Sequence, residues 1–382
     1  MTQVHSFRKQ SSIGGRCVSL AVMLSLVSCG CAGPAPATAP ASSDDPQSTQ
    51  DSNHRDDAAD VQAGDAPAPN TRVMMVSFDG LRPDAINASR TPNLQSLIDG
   101  GSAMLAAQAE FPCVTLPNHA SMVTGLSILR HGVLFNSSVE GRISRRTIFD
   151  VAKDSAISRG FFVTKPKLNY LCAEADADVR VVKTDIDVLA DETAAAIRSH
   201  ELSLIFLHFG EPDGAGHSHG WMSQPYLEQV ARADAAFGRV LAALRERDLF
   251  DRTLLIVTAD HGGHGKVHGF DIPEDRNVPF ILSGPGIAAG RRLCEVRRPM
   301  DAAMMALHAL GLPTESAMDG VLATEAMADS TPPPCGEFVM QNAYVTMCGP
   351  LPILFMAPAL LTVRLFTWRR RRARAPESRR AM

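Results

Sequence analysis

The sequence predicts an α/β protein with a mostly parallel central sheet and helices on both faces of that sheet. Short, nearly continuous apolar runs are typical of strands buried on both faces. Such runs lie at residues 73–78, 204–207, 254–257 and 279–282. Helical patterns with one apolar face lie at residues 185–199, 226–244 and 301–310. Strands that alternate with helices favour parallel pairing.

The first 70 residues have the composition of an export signal followed by a tether. Residues 1–31 indicate a signal peptide, because a basic region precedes an apolar run that is too short to span a bilayer. Residues 26–29 resemble a bacterial lipoprotein cleavage box in which Cys29 would be acylated, and a plain secretory signal is the alternative. Residues 32–70 are rich in Ala, Pro, Ser and Asp and would bury little apolar surface, so we interpret them as a disordered tether.

The C-terminal end has the pattern of a membrane anchor. Residues 345–363 are apolar and uncharged, and a basic cluster follows them. We interpret 345–368 as a transmembrane or sorting segment and 369–382 as a basic cytoplasmic tail. A linker at 331–344 would join this anchor to a catalytic domain at 71–330. The predicted location is the cell envelope, with a membrane-anchored catalytic domain outside the cytoplasm.

Composition excludes one class of partner and leaves other questions open. The net charge of -4 over 382 residues gives no basis for a nucleic-acid-binding surface. Nothing in the sequence determines the oligomeric state. Four of the eight cysteines lie in or beside the predicted domain, and three full pairings remain open for them. They are Cys113, Cys172, Cys294 and Cys335.

Acidic and imidazole side chains follow three of the predicted strands. Because ligands bind beyond the carboxyl ends of parallel strands, we expect these side chains to converge on one edge of the sheet. Carboxylates and imidazoles are zinc ligands, so the pattern predicts a two-metal site. One patch alone would more often be a helix cap or a turn. The residues are Asp79, then Asp213 and His217, then Asp260 and His261, with His264 and His268 soon after.

Thr115 is the predicted nucleophile. Pro117 suits the first turn of a helix that ends near Gly125, so Thr115 would lie at the helix N-terminus. There, backbone N–H groups and the helix dipole stabilise an alkoxide and a phosphoryl oxygen. The alternative is that Thr115 is only the helix N-cap, and the metal patches favour the nucleophile.

Together, these motifs resemble the type I phosphodiesterase/nucleotide pyrophosphatase family of the alkaline phosphatase superfamily. The resemblance covers roughly residues 73–290 and implies an alkaline phosphatase-like fold. The stretch between Asn136 and Asp213 is short, so a cap domain would be small or absent. The matching segments are VSFDGLRPD (76–84), TLPNHASMVTGLSILRHGV (115–133), Asn136, DGAGH (213–217) and TADHGGHGKVHG (258–269).

The resemblance implies two zinc ions per chain and a set of ligands for each. One zinc would be bound by Asp79, Thr115, Asp260 and His261. The other would be bound by Asp213, His217 and His268, since His268 matches the family pattern better than His264. Asn136 would hydrogen-bond a phosphoryl oxygen. The implied reaction is hydrolysis of a small phosphorylated substrate through a phosphothreonine.

Three residues bear on the choice of substrate. Family members that cleave nucleotides carry an aromatic residue directly after the nucleophile, whereas this chain has Leu116, which offers only part of an apolar pocket. Lys165 and Lys167 follow a predicted strand at 161–164 and could point two ammonium groups towards the metals. Such charges would help monoesters more than diesters, because a monoester carries one more negative charge. The alternative is that both lysines are exposed loop residues.

We therefore interpret the chain as a phosphodiesterase or nucleotide pyrophosphatase. One alternative is a phosphomonoesterase or phosphonate hydrolase of the same superfamily. An alternative of another class is an inactive, surface-anchored binding protein. A phosphomutase is disfavoured by the export signal. A sulfatase with a modified cysteine is disfavoured because Cys113 is not followed by the C-x-P-x-R pattern of sulfatases.

Overall fold

The computed structural model of the protein describes residues 71–315, 317–333 and 335, all of which lie within one compact unit of the chain. The predicted signal peptide (1–31), tether (32–70), membrane or sorting segment (345–368) and basic tail (369–382) lie outside the described residues, as does most of the linker. None of the helices in the described part of the chain has the length and apolar character that a membrane crossing requires.

A mixed sheet forms the centre of the described domain. Its strands are β1 Arg72–Phe78, β2 Ser102–Gln108, β3 Arg159–Val163, β4 Val179–Val182, β5 Leu204–Phe209, β6 Thr253–Thr258, β7 Asn277–Ser283 and β8 Arg291–Arg292. They pair in the order β4-β3-β5-β1-β6-β7-β2-β8. The pairs on either side of β7 are antiparallel and the other pairs are parallel. The predicted mostly parallel sheet is confirmed.

The predicted strand at 279–282 differs from the others in direction. It belongs to β7, which runs antiparallel to β6. Parallel strands need a crossover connection, usually a helix, but residues 259–276 contain only a four-residue helix, Pro273–Arg276. Strands β2, β4 and β8 were not indicated by the sequence pattern. Strand β2 is rich in alanine, and β8 has two residues.

Helices surround this sheet, and the four predicted from the sequence are α2, α5, α7 and α9. Asp185 and Ser223 cap α5 and α7, because each side chain accepts a hydrogen bond from a backbone N–H of the first turn. The helices of the described residues are α1 Pro92–Asp99, α2 Thr115–Thr124, α3 Ile128–His131, α4 Ile148–Asp154, α5 Ile186–Ser199, α6 Glu211–His219, α7 Gln224–Glu246, α8 Pro273–Arg276 and α9 Asp301–Ala309.

The helices lie on both faces of the sheet, as predicted. Side chains alternate between the two faces of a strand, so Phe206 and Phe209 of β5 point in opposite directions. The ring of Phe206 contacts that of Phe149 in α4. The ring of Phe209 contacts that of Phe237 in α7. The core therefore has two layers, one on each side of the strands.

The segment between Asn136 and Asp213 builds one end of the sheet. It contains α4, β3, β4, α5 and β5, and β4 is the edge strand. These elements form part of the main domain, in agreement with a small or absent cap. Strand β3 pairs in parallel with β5, so the residues that follow β3, Thr164 and Lys165, lie at the same edge as the ends of β5 and β1.

A disulfide joins Cys294 to Cys335. The sequence left this pairing open among three. Cys113 and Cys172 are buried free thiols, and burial raises the pKa of each to about 12. A structural disulfide is typical of proteins that fold outside the cytoplasm.

Candidate metal centre and nucleophile

Three buried carboxylates meet where β1, β5 and β6 end. Asp79 directly follows β1, and Asp260 lies two residues beyond β6. Asp213 lies in the first turn of α6, just after β5. The exposed fractions of the three residues are 0%, 0% and 5%. Since β5, β1 and β6 are parallel neighbours, their carboxyl ends bring together residues that are far apart in the sequence.

Two groups of side chains at this edge could each hold a metal ion. One group is Asp213, His217 and His268, which is the set that the resemblance implies. The other is Asp79, Asp213 and His261. Within each group the ligand atoms lie within 4.8 Å of one another. The second group contains Asp213 where the implied set has Asp260 and Thr115, although Asp260 Oδ2 lies 3.2 Å from His261 Nε2.

The three histidines of these groups all direct Nε2 towards a carboxylate. In each ring Nδ1 lies next to a backbone carbonyl, which can only accept, so Nδ1 carries the proton. Nε2 of a neutral ring then carries the lone pair. Metal-binding histidines commonly donate their other ring nitrogen to a carbonyl in this way. The pairs are His217 with Lys266 O at 3.0 Å, His261 with Gly262 O at 2.8 Å, and His268 with Cys113 O at 2.7 Å.

Four buried polar atoms at this edge have no hydrogen-bond partner among the described residues. They are Asp79 Oδ1, Asp213 Oδ1, Asp260 Oδ2 and His261 Nε2. Carboxylate oxygens and an unprotonated imidazole nitrogen are all acceptors, and a buried acceptor without a partner costs about 1–3 kcal/mol. A cation bound among these atoms would satisfy them. The donor set therefore fits a metal ion.

The electrostatics of the cluster also favour a cation. Burial raises the pKa of Asp79, but the Lys165 ammonium and a hydrogen bond from His208 outweigh burial and hold this pKa well below its ordinary value. Burial and the charge of Asp79 raise the pKa of Asp260 well above its ordinary value. Burial lowers the pKa of His261, and that of His268 to about 4, so both rings are neutral. A divalent cation would relieve the repulsion between the carboxylates.

Thr115 is the first residue of α2 and is 1% exposed. Val114 is the N-cap, so the alternative in which Thr115 is only a cap does not hold. The start of α2 lies beside the candidate ligands. His268 donates to the carbonyl of Cys113, two residues before Thr115. His119 Nδ1 donates to the carbonyl of Thr115 at 2.8 Å and lies 3.5 Å from Asp260 Oδ2.

Asn136 also lies at the start of α2. Its Oδ1 accepts a hydrogen bond from the backbone N–H of Leu116 at 2.9 Å and another from Lys167 Nζ at 2.9 Å. Both contacts use the carbonyl oxygen, so neither of them engages the two N–H donors of Nδ2. Burial and the nearby Lys165 ammonium lower the pKa of Lys167. An anion bound beside Lys167 would be stabilised by this charge.

The two lysines have different surroundings, although one residue separates them. Lys165 Nζ lies 2.7 Å from Asp79 Oδ2 and 2.6 Å from Asp213 Oδ2. Lys165 is therefore bound to two candidate metal ligands, whereas Lys167 binds Asn136. The alternative in which both lysines are exposed loop residues does not hold. The sequence suggested that both lysines point towards the metals. In the structure only Lys165 contacts candidate metal ligands, and Lys167 contacts Asn136.

Leu116 and His264 are two further residues for which the sequence raised an expectation. Leu116 is 0% exposed and belongs to the hydrophobic core, so the expectation that its side chain contacts a substrate does not hold. Leu116 is the second residue of α2, directly after Thr115. His264 Nδ1 lies 2.7 Å from Asp275 Oδ1, and His264 belongs to neither metal group. The geometry therefore favours His268 over His264.

His208 is a residue of the site that the sequence analysis does not identify. It lies in β5 and is completely buried. Its Nε2 lies 3.0 Å from Asp79 Oδ2. The available signal was a single polar residue in the apolar run Leu204–Phe209, five positions before Asp213. Its partner, Asp79, follows another strand, β1, and could not be inferred from that run.

A family profile for type I phosphodiesterase/nucleotide pyrophosphatase matches residues 73–168 and 142–266, which together span just over half of the chain. A sulfatase profile matches residues 222–312. The rat ectonucleotide pyrophosphatase/phosphodiesterase family member 7 is 27% identical over 217 residues, which are 50% of this chain and 49% of that protein. A mouse bis(5'-adenosyl)-triphosphatase is 26% identical over 52% of this chain and 48% of that protein. The chain thus spans about half the length of the curated relatives it matches.

Solved structures share this fold. Murine ectonucleotide pyrophosphatase/phosphodiesterase 5, as an inactive variant in complex with AMP, has a TM-score of 0.58 and 16% identity, over 66% of this chain and 97% of that one. A phosphonate monoester hydrolase from Silicibacter pomeroyi has a TM-score of 0.57 and 16% identity, over 69% of this chain and 78% of that one. At these identities the likeness establishes the architecture alone.

Proposed function

The chain belongs to the type I phosphodiesterase/nucleotide pyrophosphatase family of the alkaline phosphatase superfamily, and from that premise we propose that it is a zinc-dependent hydrolase of phosphate esters. Thr115 would be the nucleophile, and two zinc ions would be the cofactor. Phosphodiesters or pyrophosphates are the leading substrates, because the matched relatives are named for such activities.

The arrangement of His217, His261 and His268 is the observation that carries this proposal. Each ring uses Nδ1 on a carbonyl and places Nε2 between 3.2 and 3.6 Å from a carboxylate oxygen. Burial keeps the rings of His261 and His268 neutral, so each Nε2 and its carboxylate oxygen are both acceptors and repel each other unless a cation binds both. A hydrogen bond with Asp213 instead raises the pKa of His217. Zinc suits a mixed set of carboxylates and imidazoles.

The residues of the site could carry out phosphoryl transfer to Thr115, followed by hydrolysis of the phosphothreonine. Zinc bound here would lower the pKa of the Thr115 hydroxyl and polarise the phosphoryl oxygens. Thr115 Oγ1 releases its proton to solvent and forms a bond to phosphorus while the bond to the leaving group breaks; the leaving group keeps the bonding electron pair and takes a proton from water. Asn136 Nδ2 and the positive end of the α2 dipole would stabilise the negative charge on the phosphoryl oxygens. Water then hydrolyses the phosphothreonine and restores Thr115.

A monoester or phosphonate is a second candidate substrate, and Lys167 is the observation that favours it. Its ammonium binds Asn136 Oδ1, at the predicted phosphoryl site. A cation at that place would stabilise the additional negative charge of a monoester. Burial of Leu116 also removes the one apolar contact that the sequence offered to a second ester group. Lys165, in contrast, is held by Asp79 and Asp213.

Lys167→Ala tests the choice between these substrates. If the enzyme prefers monoesters, the variant should lose about 10- to 100-fold in kcat/KM for p-nitrophenyl phosphate, because a hydrogen bond to a charged group is worth about 1.5–3 kcal/mol. The value for bis-p-nitrophenyl phosphate should change much less. Lys183→Ala, a surface lysine near Glu192, is the matched control. A wild type that prefers the diester, with both activities indifferent to Lys167→Ala, would contradict the monoester candidate.

An inactive binding protein is the alternative of another class. The chain keeps carboxylates and histidines at every expected ligand position, together with a threonine at the start of α2. Retention of this set counts against a protein that has lost activity. Zinc content close to two ions per chain, together with hydrolysis of either nitrophenyl ester, would exclude the inactive protein.

We further propose that the catalytic domain lies outside the cytoplasm and is anchored to the membrane. The export signal at 1–31 and the apolar segment with its basic tail at 345–382 support this location. The disulfide Cys294–Cys335 supports it independently, because disulfides persist in oxidising compartments.

Reporter fusions test this topology. A reporter that is active only outside the cytoplasm should give signal when fused after Ser330 and none when fused after Arg372. The physical reason is that the basic cluster holds the end of the chain on the cytoplasmic side. Extracellular signal from the fusion after Arg372 would contradict the proposed orientation.

A further inference from the structure

Two buried residues beneath the candidate metal ligands form a chain of hydrogen bonds that ends on Asp79. Thr164 Oγ1 lies 3.0 Å from His208 Nδ1, and His208 Nε2 lies 3.0 Å from Asp79 Oδ2. His208 is 0% exposed, and Thr164 is 5% exposed. The motifs that identify the family include neither residue. The chain of bonds connects the end of β3 to the end of β1 through β5.

The direction of these hydrogen bonds follows from the chemistry of Asp79. An ionised carboxylate can only accept, so His208 Nε2 carries the proton and donates it. In a neutral ring Nδ1 is then the acceptor. Thr164 Oγ1 therefore donates to Nδ1, and the backbone N–H of Thr164 lies 3.4 Å from the same nitrogen. Thr164 thus selects one tautomer and one orientation of the imidazole ring.

Asp79 consequently uses its two oxygens in different ways. Oδ2 accepts from His208 Nε2 at 3.0 Å and lies 2.7 Å from Lys165 Nζ. Oδ1 is buried without a hydrogen-bond partner among the described residues and lies 3.5 Å from His261 Nε2. With two donors on Oδ2, the lone pairs available to a metal ion are those of Oδ1.

We propose that His208, oriented by Thr164, is a positioning residue that holds Asp79 so that Oδ1 alone binds the metal. This inference rests on the proposed function, since it concerns one ligand of the proposed zinc site. Hydrogen bonds of this kind fix the orientation of a ligand, and their loss typically lowers metal affinity about 10- to 100-fold. His208 lies in β5, and Asp79 directly follows β1, the strand with which β5 pairs, so strand pairing keeps the two residues close together.

Two substitutions of His208 separate positioning from packing. The amide nitrogen of glutamine is as many bonds from Cα as Nε2 of histidine, so His208→Gln keeps a donor for Asp79. The amide of asparagine reaches only the place of Nδ1, so His208→Asn keeps the contact with Thr164 and loses Asp79. Both replacements put a neutral amide into the same buried position. Thermal unfolding of the metal-free variants establishes that both are folded.

The measurement is zinc affinity by chelator competition, together with the visible spectrum of the cobalt(II)-substituted protein. We expect His208→Asn to bind one of its two zinc ions about 10- to 100-fold more weakly, with an altered cobalt spectrum. The ion held by Asp213, His217 and His268 should be little affected. His208→Gln should bind both ions within about threefold of the wild type.

The outcomes distinguish this inference from the proposed function. If the wild type binds two zinc ions and His208→Asn matches it in affinity and spectrum, the positioning role is wrong while the enzyme proposal stands. Equal impairment of His208→Gln and His208→Asn would also overturn it, because packing alone would then explain the loss. A wild type that binds no zinc would overturn the proposed function and this inference together.

Discussion

Thr115→Ala is expected to lower kcat for ester hydrolysis by on the order of 10³- to 10⁶-fold, the range seen when a covalent nucleophile is removed. The substitution removes the only atom that can form the phosphothreonine. Thr115 lies at the start of α2, where the positive end of the helix dipole favours its alkoxide. The fold should be retained, because α2 keeps its Val114 N-cap and its buried face. Steady-state kinetics with nitrophenyl esters provide the measurement.

Two variants serve as controls for this result. Thr115→Ser keeps a hydroxyl and should retain part of the activity. Thr124→Ala removes a buried threonine hydroxyl at the other end of α2 and should leave kcat nearly unchanged. Its bonds among the described residues are to the carbonyl of Ala120 and the backbone N–H of Leu126. Thr115→Ala with near wild-type turnover would show that another residue is the nucleophile.

Asp213→Asn is expected to have the second largest effect, because Asp213 belongs to both candidate metal groups. Asparagine preserves the volume of the side chain but removes its negative charge. Loss of a zinc ion removes several kcal/mol of transition-state stabilisation, which corresponds to a fall in kcat/KM of on the order of 10³-fold or more. Treatment of the wild type with EDTA should have the same effect, and zinc should restore the treated wild type.

Elemental analysis of zinc per chain checks this prediction directly. Asp213→Asn should contain clearly less zinc than the wild type, and His268→Ala should also lose zinc. His264→Ala is the matched control, since His264 binds Asp275 outside both groups. Zinc loss in His264→Ala with none in His268→Ala would reverse the choice between these two histidines. Full zinc content in Asp213→Asn would remove Asp213 from the site.

Much of this site could be predicted because its residues follow recognisable strands. Asp79 and Asp260 each come at or just after the end of an apolar run, and Asp213 and His217 are four residues apart on one helix face. Apolar runs and the spacing of residues along a helix can be seen directly in the sequence. The helix that begins at Thr115 was predicted for the same reason, from Pro117 and Gly125. The mostly parallel sheet follows from the alternation of strands and helices.

Other features depended on which strands pair and could not be read from local pattern. The antiparallel direction of β7 is set by its return along β6 without a crossover helix. The pairing of Cys294 with Cys335 was one of three that the sequence allowed. In both cases the result depends on a contact between two segments, β6 with β7 and Cys294 with Cys335. Their positions in the sequence do not show that they lie close together in space.

The sequence by itself therefore determined the fold class and the family, and it predicted the candidate metal ligands and the candidate nucleophile. The tertiary structure alone decided how neighbouring residues divide their roles. Lys165 binds Asp79 and Asp213, whereas Lys167, two positions later, binds Asn136. His208 contacts Asp79 because β5 pairs with β1. These contacts join side chains at or beyond the ends of different strands, and strand order arises from burial of the whole core, which no short segment specifies on its own.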